Sequence, residues 1–309
     1  MECPSSKIST EETIHVKKKT SKKMRLHSLP HIALILAALF LLPVNMRAQQ
    51  YRESDSVKVA TLLDEARQQP ADTNWMLYFA RRLTGIPYVA KTLEVNNDEQ
   101  LIVNLRQLDC TTYVETVTAL SLCMKRKHYT FEDYCRYLRL LRYKRGEVSY
   151  VNRLHYFTSW IADNTCMGFV AEPNKPIEAF PGTQELNINY MSTHVSQYPM
   201  LVSHRDWVDD IRQTEEELTG KTFPFIPKGK LANTDVFWEA IQDGDIIAIC
   251  TNKAGLDTSH IGIAVWHVDG LHLLNASQIH KKTIEEPMTM YNYMQKHPSQ
   301  TGIRVIRLL

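Results

Sequence analysis

The order in which two kinds of sequence pattern occur constrains the fold of this chain more than any other feature. Apolar residues recur at helical spacing as far as about residue 219, whereas the end of the chain carries short apolar runs next to Asp-Gly pairs. These runs predict strands over 245–250, 260–266, 271–275 and 303–308. Helices followed by neighbouring strands indicate an α+β domain with an antiparallel sheet.

The strongest helix signal begins at Cys110. Residues 114–124 form a continuous apolar or small face, and Asp109 is a residue type that caps helices at their amino end. Weaker patterns predict peripheral helices between 51 and 82 and further helices at 130–142, 153–162 and 206–219, with an extended segment at 223–227. Since no repeat or low-complexity linker divides the chain, we interpret residues 49–309 as a single domain with an insertion at about 145–235.

Residues 1–48 differ from the rest of the chain. A Lys-rich stretch precedes an apolar run over 32–44, and Ala48 stands just before polar Gln49. This is the order of a secretory signal, and the run is shorter than the ~20 apolar residues that span a bilayer. We expect export, cleavage after Ala48 and no stable membrane insertion afterwards. A retained single-helix anchor is the alternative, and Met24 is a second possible start.

Charge and cysteine content set further limits. The whole chain carries a net charge of +2, of which residues 1–48 supply +5, so residues 49–309 carry −3. Such a weak field does not favour nucleic acid or another polyanion as a partner. Cys123, Cys135, Cys166 and Cys250 lack zinc-ligand spacing, so we expect no metal or cofactor, and their spacing leaves disulfide pairing open.

Three residues form a candidate catalytic group. Cys110 lies at a helix start, where free backbone N–H groups and the helix dipole favour a thiolate. His260 opens an apolar strand after a polar loop, which suits a rigidly held base. Asn275 lies on the next strand, where alternation places it on the same face as His260 and allows it to fix the imidazole tautomer. With a hairpin centred on residues 269–270, however, Asn275 would lie opposite Ala264, so this assignment requires a shift in register.

Segments 108–115, 259–263 and 273–277 together resemble the N-acetylmuramoyl-L-alanine amidase-like family of the NlpC-type papain-like cysteine peptidase superfamily. Segments 153–160 and 189–192 resemble elaborations of that family, so the resemblance covers most of residues 75–309. It implies a papain-like core, a Cys110 nucleophile and a His260 base in an exported bacterial protein. Many members place a second histidine where this chain has Asn275.

The resemblance also implies residues that contact the substrate. By position in the motif these are Asp109 and Thr111, although Asp109 serves equally well as a helix cap. Arg153 is a possible partner for a substrate carboxylate and Tyr156 a possible wall of a sugar-binding cleft. Ser259, in the polar loop before His260, completes the predicted set.

The predicted function is hydrolysis of the amide between N-acetylmuramic acid, or its anhydro form, and L-alanine in peptidoglycan fragments. Cleavage within the stem peptide by an endopeptidase is the nearest alternative, because cleft shape rather than the cysteine and histidine decides the bond. A non-catalytic wall-binding protein is a third. The absence of a basic surface favours small soluble muropeptides over intact wall as the substrate.

Overall fold

The computed structural model describes residues 49–173, 179–232 and 237–309. The helices in these ranges are α1 (Glu53–Ala66), α2 (Trp75–Arg82), α3 (Cys110–Lys125), α4 (Phe131–Arg142), α5 (Phe157–Cys166), α6 (Tyr190–Thr193), α7 (Pro199–Ser203), α8 (Trp207–Leu218) and α9 (Met290–Gln295). The strands are β1 (Val170–Ala171), β2 (Gly182–Glu185), β3 (Thr222–Pro227), β4 (Ile246–Thr251), β5 (Thr258–His267), β6 (Gly270–Ser277), β7 (Lys282–Glu285) and β8 (Gln300–Leu308).

One antiparallel sheet organises this part of the chain. Its strand order is β2-β3-β8-β4-β5-β6-β7, and β1 pairs with β8 beside that path. The last strand, β8, lies between β3 and β4, so the carboxyl end of the chain is built into the sheet. The prediction of an α+β fold with an antiparallel sheet and peripheral helices is confirmed.

Both faces of the central strands are covered. On β5, Ile261 and Ile263 belong to a core cluster that includes much of α3, whereas Ala264 belongs to a second cluster that includes residues of α9. A strand with two covered faces is apolar throughout rather than alternating. This burial explains the continuous apolar runs in the sequence.

Helix α3 is buried along most of its length, from Thr112 to Met124. It packs against α2, α4 and β5. Two of its buried hydroxyl groups are satisfied within the helix, because Thr118 donates to the Val114 carbonyl at 2.7 Å and Ser121 to the Val117 carbonyl at 2.8 Å. Small residues with internally bonded hydroxyls allow close packing on every side without unpaired polar groups.

Residues 145–235 contribute both an apolar cluster and strands of the sheet. Their helices form a third apolar cluster that includes Tyr156, Met191 and Ile211. Their last strand, β3, pairs with β8 and carries β2, so this segment also extends the central sheet. The helix expected at 153–162 begins only at Phe157 and continues to Cys166.

The β5–β6 hairpin corrects the register expected from the sequence. His267 pairs with Gly270 and Ala264 with Leu273, so the turn is centred on Val268 and Asp269. Ala264 therefore does not lie opposite Asn275. The observed register differs from the expected one by two residues, so each side chain of β6 stays on the face of the sheet that was expected for it. Asn275 lies two residues closer to the start of β5, where His260 lies.

The predicted secretory segment, residues 1–48, lies outside the described residues. Among the described helices, none is long and apolar enough to cross a bilayer.

Candidate active site

Cys110 is the first residue of α3 and is half-buried. The preceding Asp109 caps the helix, since its carboxylate accepts from the Thr112 N–H at 2.8 Å while the Asp109 N–H donates to the Thr112 hydroxyl at 2.9 Å. The thiol lies beside β5, where the Ile261 N–H donates a hydrogen bond to it. Ile261 directly follows His260, so the amino end of α3 contacts β5 next to the histidine.

Asn275 holds the His260 ring. The His260 Nε2 is 3.1 Å from the Asn275 Oδ1, and the Asn275 side-chain amide donates to the Leu273 carbonyl at 3.3 Å. With its NH₂ group engaged by a carbonyl, Asn275 presents its oxygen to the ring. This oxygen requires a proton on Nε2 and leaves Nδ1 as the free base.

A β-bulge sets the direction of His260. Ile249 pairs with His260 and Cys250 with Thr258, so Ser259 is the extra residue on β5. Bulges bend a strand and reorient the neighbouring side chain. The Ser259 hydroxyl donates to the Ile249 carbonyl at 3.4 Å, which ties the bulge to β4. The predicted substrate contact at Ser259 thus lies within a structural irregularity that the sequence pattern did not reveal.

The resting thiol is protonated. Burial, and secondarily the charge of Asp109, raises the pKa of Cys110 to about 12, although hydrogen bonds from Ile261 and Thr111 act in the opposite direction. The thiolate expected from the helix start is therefore not the resting form, because the loss of solvation outweighs the hydrogen bonds that the thiol receives.

His260 is neutral in the resting state as well. Burial lowers its pKa to about 4, despite the hydrogen bond to Asn275, which favours the protonated ring. His297, on the chain following α9, lowers this pKa further through its charge. With the thiol and the imidazole both neutral, a proton can pass from one to the other only as the sulfur attacks, so charge separation belongs to the reaction and not to the resting site.

Two tyrosines that the sequence analysis missed lie around this group. The Tyr293 ring centroid is 6.5 Å from that of His260, and Tyr293 is near enough to Cys110 for the two charges to interact. Burial raises the pKa of Tyr88 to about 12, with smaller contributions from Cys110 and Asp109. Both phenols remain protonated donors at neutral pH. Neither stands in a recognisable motif, and long-range packing alone brings them here.

Arg153 and Tyr156 are engaged elsewhere. Arg153 is buried and forms ion pairs with Glu94 and Glu99, so its charge is already balanced. The Tyr156 hydroxyl donates to Glu215 at 2.6 Å and accepts from the Met191 N–H at 3.0 Å. These contacts stabilise the 145–235 segment, and a role of either residue in substrate binding stays a prediction.

A comparison with known families decides the classification. Residues 78–303 match the family model described as N-acetylmuramoyl-L-alanine amidase-like. The chain belongs to this family.

Solved structures agree with membership of the N-acetylmuramoyl-L-alanine amidase-like family. An N-acetylmuramoyl-L-alanine amidase from Bacteroides uniformis is 35% identical, with a TM-score of 0.70 over 76% of this chain and 97% of the amidase. A protein from Bacteroides fragilis, provisionally described as a xylanase, is 37% identical, with a TM-score of 0.68 over 74% of this chain and 98% of its own. A Legionella pneumophila protein, 20% identical, has a TM-score of 0.65 over 83% of this chain and 95% of its own, and shares the fold. No curated protein sequence matches the chain.

Other thiols of this family member are separate from the site. Cys123, Cys135 and Cys250 are free and fully buried, as expected for small apolar residues, and burial raises the pKa of each. Cys110 is also free, but it alone among these four retains partial exposure. Cys110 is therefore the free thiol best placed to meet a substrate.

Proposed function

We propose that this member of the amidase-like family is a cysteine-dependent hydrolase that cleaves the amide between N-acetylmuramic acid, or its anhydro form, and L-alanine in peptidoglycan fragments. One observation carries the proposal: Asn275 holds the His260 ring with Nδ1 free, and the next residue, Ile261, donates its N–H to the partly exposed Cys110 thiol at the start of α3. Thiol, base and orienting amide are the parts that nucleophilic amide cleavage requires.

The residues suggest how the reaction would proceed. The Cys110 sulfur attacks the amide carbonyl carbon while His260 Nδ1 takes the thiol proton. The backbone N–H of Cys110 helps to hold the oxyanion, and His260 then gives the proton to the leaving amine of L-alanine. Water, activated by His260, hydrolyses the resulting thioester, releases the sugar lactyl carboxylate and restores the thiol.

The same arrangement supports a place in the NlpC-type papain-like superfamily. A cysteine opens a helix, a histidine lies on a later strand of an antiparallel sheet, and a polar residue on the next strand bonds the imidazole. The order of these elements along the chain agrees with the order of the motifs that carry the resemblance.

We further propose that the protein acts outside the cytoplasm of a bacterium, as a periplasmic or otherwise exported enzyme. The basic and apolar pattern of residues 1–48 supports export with cleavage after Ala48. The net charge of −3 over residues 49–309 favours soluble muropeptides over an anionic wall polymer.

Mass spectrometry of defined muropeptides incubated with the protein tests this function. Release of the intact stem peptide together with the free sugar lactyl carboxylate is expected. Cys110→Ala should abolish this release, whereas Cys135→Ala removes a buried thiol on α4 and serves as the matched control. Circular dichroism of each variant establishes that it is folded.

The other functions give different products. A dipeptide or a truncated stem would indicate the endopeptidase, and absence of any product would indicate a wall-binding protein. Stem-peptide release by folded Cys110→Ala at the wild-type rate would contradict the cysteine mechanism.

A further inference from the structure

The tip of the β5–β6 hairpin carries a second cluster of chemically active side chains. His267 ends β5, Asp269 lies in the turn, and His272 lies near the start of β6. One potential ligand atom from each of these residues lies within 4.8 Å of the other two. His267 is seven residues along the strand from His260, roughly 23 Å at about 3.3 Å per residue, so the cluster is remote from the candidate active site.

His272 and Asp269 face each other through atoms that both accept hydrogen bonds. His272 is buried, and its Nδ1 donates to the Glu286 carbonyl at 2.8 Å, which leaves Nε2 without a proton in the neutral ring. That Nε2 is 2.9 Å from Oδ1 of the Asp269 carboxylate. Two acceptors at this distance require a cation between them, either a proton or a metal ion.

The separation is close to that of two metal ligands. Zinc binds imidazole nitrogen and carboxylate oxygen at about 2.0–2.2 Å, so two ligands in tetrahedral geometry lie about 3.4 Å apart. His272 Nε2 and Asp269 Oδ1 are 2.9 Å apart, and the Asp269 side chain, which is 65% exposed, can move the remaining distance.

His267 is supported in the way that metal-binding histidines usually are. Its Nε2 donates to Glu285 Oε1 at 2.6 Å, and Arg81 holds the same carboxylate through two hydrogen bonds of 3.1 Å. Both histidines therefore have one ring nitrogen held by an oxygen acceptor and the other free to bind a metal. The rings of His267 and His272 are stacked 4.1 Å apart, so the exposed His267 ring must tilt about its Nε2–Glu285 hydrogen bond to direct Nδ1 at the ion.

We propose that His267, Asp269 and His272 form a binding site for one Zn²⁺ ion. Two imidazoles and a carboxylate are a ligand set that zinc prefers, and water would complete the coordination. Through Glu285 and Arg81 the ion would connect the hairpin tip to β7 and α2. The site is structural, because it lies far from Cys110 and His260 along β5.

Zinc titration by isothermal calorimetry tests the proposal. Protein without a polyhistidine tag should be used in a Cys110→Ala background, so that the candidate catalytic thiol cannot bind the ion. We expect saturable binding of one Zn²⁺ per chain and at least about tenfold weaker binding in His267→Gln. His267 is 39% exposed, so this change should not disturb folding. His204→Gln, whose ring stacks on Trp207, is the matched control and should bind like the parent.

Two further measurements separate a metal from a bridging proton. Glu285→Gln should weaken zinc binding by about 10- to 100-fold, because it removes the group that orients His267. Zn²⁺ should also raise the unfolding midpoint of the parent but not that of His267→Gln. Absence of saturable zinc binding, or equal binding in His267→Gln, would overturn the proposal. Neither result depends on muropeptide cleavage, so failure here is distinguishable from failure of the proposed function.

Discussion

At the scale of single residues, the surroundings of Cys110 and His260 keep both groups neutral. Burial raises the thiol pKa to about 12 and lowers the imidazole pKa to about 4. A thiolate–imidazolium ion pair in the resting site would have the opposite effect, because each charge would lower the thiol pKa or raise the imidazole pKa of its partner. Attack on a substrate must therefore be coupled to proton transfer, and the tautomer that this transfer needs is already set by Asn275.

This arrangement predicts the pH dependence of muropeptide hydrolysis. His260 acts as a base only when unprotonated, so kcat/KM should fall on the acid side near pH 4 instead of near the ordinary histidine value of about 6.5. Asn275→Ala should lower the neutral-pH plateau by about 100-fold through loss of ring orientation, and should move the acid limb still lower. Asn275→His serves as the comparison, because it retains a partner for the ring and adds a second titrating group. An unchanged plateau in Asn275→Ala would contradict the positioning role.

At the scale of elements, the amino end of α3 combines two opposing effects on the thiol. Asp109 caps the helix and so fixes the position of Cys110, yet its negative charge raises the pKa of that thiol. The carboxylate is engaged by Thr112 through both its backbone and its hydroxyl. The effect of Asp109 as a helix cap can be separated from the effect of its charge on the thiol pKa, because asparagine caps helices as well as aspartate does.

Two substitutions at this position make the separation. Asp109→Asn should retain stability and lower the Cys110 pKa, which the pH dependence of iodoacetamide labelling measures. Asp109→Ala should lower the thiol pKa as well, but should cost about 1 kcal/mol of unfolding free energy through loss of the cap. Equal stability of the two variants in urea denaturation would show that the cap does not hold the helix start.

At the scale of the whole molecule, a histidine that the fold keeps neutral makes folding sensitive to acid. Burial, and secondarily the charge of Arg153, lowers the pKa of His155 to about 3, and its Nε2 donates to the Tyr150 carbonyl at 2.8 Å. In the unfolded chain the same ring binds a proton near pH 6.5. The unfolded state therefore binds more protons between about pH 6.5 and pH 3, and the stability that the neutral ring provides is lost progressively as the pH falls through this window.

His155→Gln isolates this effect, because contributions from all other groups cancel in the difference. The unfolding free energy of the wild type, relative to that of the variant, should decrease by at most about 1.4 kcal/mol per pH unit below pH 6.5. Urea denaturation at pH 7, 6, 5 and 4 measures it. A difference that does not change with pH would show that His155 titrates normally in the folded protein.

Local patterns were sufficient for the elements but not for their exact registers. Apolar spacing and an Asp cap predicted α3 from its first residue, because these signals lie within one turn of the helix. The hairpin turn was misplaced, since either of two adjacent residue pairs can form such a turn and only pairing with β4 and β7 selects one. The bulge at Ser259 and the place of Tyr293 beside His260 likewise result from contacts between distant segments.

Local patterns predict the fold class, the helix start at Cys110, and the positions of His260 and Asn275 on neighbouring strands, because periodicity and capping are properties of adjacent residues. The charge states of Cys110 and His260 and the engagement of Arg153 with two glutamates depend instead on how distant segments pack. The tertiary structure also brings His267, Asp269 and His272 together. Protonation states and ligand geometry depend on how strongly packing excludes solvent from a group and on which distant residues it brings near that group. Local spacing in the sequence encodes neither of these.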